Sequence, residues 1–325
     1  IESADGIVVV KKGTLIEKAT TGEDGKAAFT ADLPIGFSYS VKEEQAPKGY
    51  LRNQEDVYTF KFSYTNDSEA VVTFTHTFVN ERVNAKINLQ KKDAETNQAK
   101  PQGDATLEKA VYGLYAREDI VHPDGATGVL YKAGAKVATL TTDKNGAASI
   151  ENLYLGNYYV KEITPPVGYL ADETEHDLVC NYEGDLVATV ERSCVSLEQV
   201  KKQPFQIIKA ANNGKTDADL LSGAGFTAYL VSSLSVKADG SYDFDSASPV
   251  VIGENGATEM FTDEKGYACS IALPYGTYVV RETTTPHNYT PVNDFVVQIK
   301  EHHPNTPQVW RVLLDDEFEA KLKIV

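Results

Sequence analysis

Three glutamates in this 325-residue chain stand where glutamate is ordinarily excluded. Each closes an alternating triplet: Tyr39, Val41, Glu43; Tyr158, Val160, Glu162; Tyr278, Val280, Glu282. Alternate residues of a strand share a face, and Tyr and Val mark that face as core. The glutamate therefore points inward, and an inward carboxylate needs a partner. Two lysines occupy comparable places, Lys91 after Ile87 and Leu89, and Lys209 after Phe205 and Ile207. Burial disfavours the ammonium form, and a neutral amine is a nucleophile. Burial also keeps a proton on a carboxyl group, which can then bond a carbonyl and shuttle the proton. The plainer reading of the same residues is a salt bridge, or a lysine whose amine reaches water along its aliphatic stem.

The elements that position these side chains recur. Residues 20–51, 141–170 and 261–290 share one pattern at a period of about 120 residues, a usual domain size. A turn at Asp24-Gly25, Asn145-Gly146 or Lys265-Gly266 closes a hairpin, with glycine free to take positive φ. A short strand and a second glycine turn follow, then the Tyr-Val-Glu strand, which Pro47, Pro166 or Pro286 ends. Tyr, Thr and Val are plentiful and helical spacing is nearly absent. Many short strands with regular turns predict an all-β fold of tandem antiparallel sandwiches.

The pattern Y-x-V-x-E-x-x-x-P-x-x-Y occurs three times. With K-x-D at Lys91 to Asp93 and V-N-E at Val79 to Glu81, it resembles the Cna-B or SpaA-like prealbumin-type repeats of Gram-positive pilins and adhesins. The resemblance implies transthyretin-like sandwiches closed by an intramolecular isopeptide bond. In that family a first-strand Lys joins a last-strand Asn or Asp, and the inward Glu promotes the reaction. Carried over residue by residue, this implies Lys209 with Glu282 in the third repeat. Matching Ala320-Lys321 to Ala85-Lys86 makes Asp315 the acceptor. Strict alternation from Trp310, Val312 and Leu314 favours Asp316 instead. In the second repeat Lys91 and Glu162 match, but the last strand offers no Asn or Asp. Either the bond is absent there, the reading this departure favours, or Glu198 or Gln199 serves as an unusual acyl donor. In the first repeat Asn80 is acceptor-like, and its lysine is expected upstream of Ile1.

The expected organisation is a partial repeat lacking its first strand (1–84), two full repeats (85–202 and 203–319) and the start of another (320–325), arranged end to end. The formal net charge of −16 disfavours nucleic acid and anionic membranes as partners. No apolar run approaches the roughly 20 residues of a membrane span, so no membrane insertion is expected in this segment. Cys180 and Cys194 read as members of one hairpin, too far apart along it for a disulfide. No cofactor or metal motif appears.

The expected function is a structural stalk or pilin-like segment on a bacterial surface. It is not an enzyme beyond single-turnover self-cross-linking. Its partners would be flanking repeats, and neighbouring subunits or a host surface ligand. Two alternatives carry different functions. One is a ligand-binding adhesin segment using the longer stretch 230–256. The other is a spacer array in a large secreted hydrolase.

Overall fold

The computed structural model describes residues 1, 6–63, 72–212 and 219–316, with backbone alone over 310–316. The chain forms two compact units, one of residues 1–83 with 182–188, the other of 84–181 with 189–325.

In the first unit, β1 (Ser38–Lys42) pairs antiparallel with β2 (Val57–Lys61), setting Tyr39 opposite Phe60. The rings of Tyr39, Phe60, Phe62 and Phe74 pack together, with centroids 4.9–5.8 Å apart. Within this unit Asp185 ties down the segment after β1, accepting the Ala46 amide on its carboxylate (3.1 Å) and the Arg52 amide on its carbonyl (2.8 Å).

The second unit holds two sandwiches of matching design. Seven strands make the first: β3 (Asn84–Asp93), β4 (Val111–Ala116), β5 (Lys136–Thr141), β6 (Ala147–Leu153), β7 (Gly156–Thr164), β8 (Glu175–Cys180) and β9 (Thr189–Glu198). They form a three-stranded sheet, β6-β3-β9, and a four-stranded sheet, β8-β7-β4-β5. The second sandwich repeats this with β10 (Phe205–Asn212), β11 (Gly225–Leu230), β12 (Glu259–Phe261), β13 (Tyr267–Cys269), β14 (Gly276–Thr284), β15 (Phe295–Ile299) and β16 (Gln308–Asp316). Its sheets are β13-β10-β16 and β12-β11-β14-β15.

Alternation governs burial as period-2 patterning requires. Along β3, residues Ala85, Ile87, Leu89, Lys91 and Asp93 are all buried, while the residues between them are half-buried. Most pairings are antiparallel. In each sandwich, however, the first and last strands run parallel, β3 beside β9 and β10 beside β16. Parallel neighbours need a long connection, and here the rest of the domain supplies it.

The reading of residues 180 and 194 as one hairpin is not what forms. Cys180 lies opposite Gly156 in the four-stranded sheet, and Cys194 lies opposite Leu89 in the other. The chain crosses from one sheet to the other between β8 and β9. Among the described residues, no helix is long and apolar enough to cross a membrane.

Candidate functional site

The second repeat carries the most complete site. Lys91 sits on β3 and Glu162 on β7, in opposite sheets, and both alternations aim them into the space between. Lys91 is fully buried, and its Nζ donates to Glu162 Oε1 at 3.1 Å and to the Tyr112 hydroxyl at 3.1 Å. Glu198 Oε1 is also in contact with Nζ, and its side chain is as inaccessible as that of Lys91. Glu162 Oε2 accepts the Asp172 backbone N–H at 3.0 Å, which fixes the carboxylate from behind. Burial pushes the Lys91 amine below the usual lysine range, and Glu162 opposes that shift.

Of the two acceptor candidates, Glu198 faces Lys91 and Gln199 does not. Gln199 turns outward, its Nε2 donating to Glu95 at 2.7 Å and to the Val200 carbonyl at 3.0 Å. In the parallel register Lys91 lies opposite Ser196, and Glu198 lies one inward position further, opposite Asp93.

Sequence reasoning overlooked Tyr112 and Ser196 here. Tyr112 lies opposite Glu162 across β4 and β7. Its hydroxyl is 2.8 Å from Glu198 Oε1 and 3.0 Å from Ser196 Oγ. Ser196 Oγ is itself 3.3 Å from the same carboxyl oxygen. Asp93 is buried too, as a loop anchor. It accepts from the Glu95 and Thr96 amides, the Gln102 amide group and the Tyr169 hydroxyl. The Asp of K-x-D thus bonds the final Tyr of the P-x-x-Y motif.

In the third repeat Lys209 Nζ donates to Glu282 Oε2 at 2.7 Å, with both side chains fully buried. The Val292 N–H holds the same oxygen at 2.9 Å, whereas the Asp172 N–H holds the Glu162 oxygen that Lys91 leaves free. Phe226 takes the place of Tyr112, opposite Glu282, and Lys209 Nζ lies over its ring. The side chains of Asp315 and Asp316 lie outside the described residues, but the backbone register distinguishes the two positions. Ile207 is opposite Trp310, whereas Lys209 is opposite Leu313, so one extra residue bulges out of β16 between them. That slip breaks strict alternation. Asp315 falls opposite Ala211, two residues beyond the lysine's partner, as Glu198 does in the second repeat.

In the first unit, Asn80 donates from Nδ2 to Glu43 Oε2 at 2.6 Å and to the Leu51 carbonyl at 3.1 Å. Glutamate and carboxamide therefore meet there without a lysine of the same unit among the described contacts.

Two buried lysine–glutamate pairs, each between the sheets of a sandwich whose first and last strands lie side by side, define a repeat protein of the prealbumin type. The SpaA prealbumin-like fold domain matches residues 3–77, 85–193 and 204–310, and the chain belongs to that family. Among solved structures, the Bacillus anthracis TIE protein is similar over 92% of this chain, at 24% identity and a TM-score of 0.54. This chain spans 45% of that one. The minor pilin GBS52 of Streptococcus agalactiae aligns with 74% of this chain and 99% of its own, at 15% identity and a TM-score of 0.31. A streptococcal ancillary pilin aligns with 88% of this chain and 76% of its own, at 18% identity and a TM-score of 0.27. No curated protein matches the chain.

Proposed function

We propose that this chain is a load-bearing stalk or pilin-like segment at the surface of a Gram-positive bacterium, with sandwiches closed by self-formed isopeptide bonds. Lys209 joins Asp315 with Glu282 as promoter, and Lys91 joins Glu198 with Glu162 as promoter. The observation that supports this most is the contact of Lys91 with Glu198 beside Glu162 in a dry interior. Each isolated buried ion costs several kcal/mol. Proton transfer from ammonium to carboxylate removes both charges at once.

The neutral amine then attacks the carboxyl carbon. Overall the ammonium gives up two protons, one carboxyl oxygen leaves with both as water, and one C–N bond replaces one C–O bond. The promoting glutamate carries a proton from nitrogen to the leaving oxygen. Folding supplies the proximity, which for well-oriented groups is worth about 7–11 kcal/mol of barrier. Each site turns over once, so the chain is not an enzyme in the ordinary sense. Its partners are its flanking repeats, and neighbouring subunits where the parent protein polymerises.

Intact-mass measurement tests this. The unaltered chain should weigh two waters less than its sequence mass. Lys209→Ala and Lys91→Ala should each restore one water, and Glu282→Gln should restore one while leaving Lys209 and Asp315 in place. Full sequence mass, with all four side chains free in peptide maps, would refute the proposal.

A further inference from the structure

The second repeat contains two hydroxyls that the third repeat lacks. At the ladder position opposite the promoting glutamate, Tyr112 stands where the third repeat has Phe226. Opposite the reactive lysine, Ser196 stands where the third repeat has Leu313. The same repeat places a glutamate where its neighbour has an aspartate, and so adds one rotatable bond to the acceptor. Both hydroxyls converge on one atom, Glu198 Oε1, at 2.8 and 3.3 Å. Among the described residues Glu198 Oε2 is buried without a hydrogen-bond partner. The two oxygens of this carboxyl are therefore not equivalent.

We infer that Tyr112 is a further catalytic residue of the second repeat, donating to Glu198 Oε1 as that oxygen takes up negative charge during attack by Lys91. The inference rests on the reading that Lys91 and Glu198 condense. When the Lys91 nitrogen bonds the Glu198 Cδ, the carbonyl electron pair moves onto Oε1, where the Tyr112 O–H meets it. Ser196 Oγ lies beside both. The pair then returns, the bond from Cδ to Oε2 breaks, and Oε2 departs as water with the two protons given up by the former ammonium. Lys91 donates to the Tyr112 oxygen, and a hydroxyl that accepts one bond is a stronger donor in the next. Burial, the largest influence, pushes the Tyr112 hydroxyl above the usual tyrosine range, so its proton stays on the phenol and remains available. A donor already aimed at the developing charge costs no reorganisation in a dry site. Pinning Oε1 also compensates for the freedom of the longer acceptor side chain.

The test is Tyr112→Phe, a change to the residue that the third repeat already holds at this position. The full chain would be made by cell-free synthesis, quenched at intervals and mapped by tryptic digestion. Joining of Lys91 to Glu198 should slow by on the order of 100-fold, the usual effect of removing one such donor. Joining of Lys209 to Asp315 in the same molecules should keep its rate and report on the integrity of the chain. A wild-type time course in the second repeat, including one complete at the first interval, overturns the role of Tyr112 and leaves the cross-linking reading standing. Unmodified Lys91 in the wild-type chain overturns both. Should Tyr112→Phe fail to fold, Ser196→Ala replaces it. That variant loosens the hydroxyl's position and should slow joining several-fold, and an unchanged rate counts against the inference.

Discussion

Lys91 is held between two influences of opposite sign. Burial favours the neutral amine, and the Glu162 carboxylate favours the ammonium, with burial the larger. In Glu162→Gln, joining should stop and the largest opposing influence should go, with Asp172 and the Glu198 carboxyl remaining, leaving a buried, unreacted lysine. Its folded pKa lies below the ordinary lysine value that it regains on unfolding. Between those two values the unfolded chain binds more protons than the folded one, so stability rises with pH. Below the folded value and above the ordinary one it is flat. Pulse proteolysis in urea, with cleavages mapped to the second repeat, should give a higher midpoint at about pH 10, just below the ordinary lysine value, than at neutral pH. A midpoint that falls over that interval would mean that Lys91 is not a desolvated base.

At the scale of elements, the turn glycines that punctuate the sequence set the backbone of Lys91 and Lys209. The Lys91 N–H donates to the Gly146 carbonyl at 2.8 Å, and the Lys209 N–H to that of Gly266 at 2.7 Å. Both glycines take positive φ, and a Cβ added at either would lie 2.8 or 2.3 Å from the lysine carbonyl oxygen. Gly146→Ala should therefore push β3 outward and cut joining of Lys91 at least several-fold, while leaving the third repeat intact. Peptide mapping of the purified variant reads this directly, and complete joining would show that the strand tolerates the shift. These glycines, the two lysines and the inward glutamates were legible because period-2 alternation and a threefold repeat mark them in the sequence. The choice between Glu198 and Gln199 was not, since half-buried Arg192 and Cys194 blur the inward face of β9. The choice between Asp315 and Asp316 turned on a bulge between Trp310 and Leu313, which no periodicity reveals. Tyr112 reads as an ordinary core aromatic, and its hydroxyl gains meaning only from what β9 places against it.

At the scale of the whole molecule, the proposed cross-links would lie where load would pass. Within the larger unit the two sandwiches meet at a built seam. Asp104 accepts the Thr277 N–H at 3.0 Å, its own N–H donates to the Tyr275 carbonyl at 2.8 Å, and the Tyr275 ring packs against Ala105, Leu107, Tyr169 and Val200. The Tyr275 N–H in turn bonds the carbonyl of Lys201, between the two domains. Pulled at its ends, the second repeat would be loaded at the start of β3 and just past β9, the two strands that Lys91 and Glu198 would join. With that bond in place only the few residues outside it can be drawn out. Without it the roughly 100 residues between the two side chains become free, and at about 3.3–3.6 Å per residue they lengthen the chain by roughly 300 Å. The same closure removes loop entropy from the unfolded state, by analogy with a disulfide of that span worth about 5 kcal/mol. Single-molecule pulling of the full chain between handle domains should show no step of that length from the second or third repeat. Lys91→Ala should add one such step, and Lys91→Ala with Lys209→Ala should add two. A wild-type chain that yields both long steps would carry no covalent clamp in either repeat, and its resistance to load would rest on the strand ladders alone.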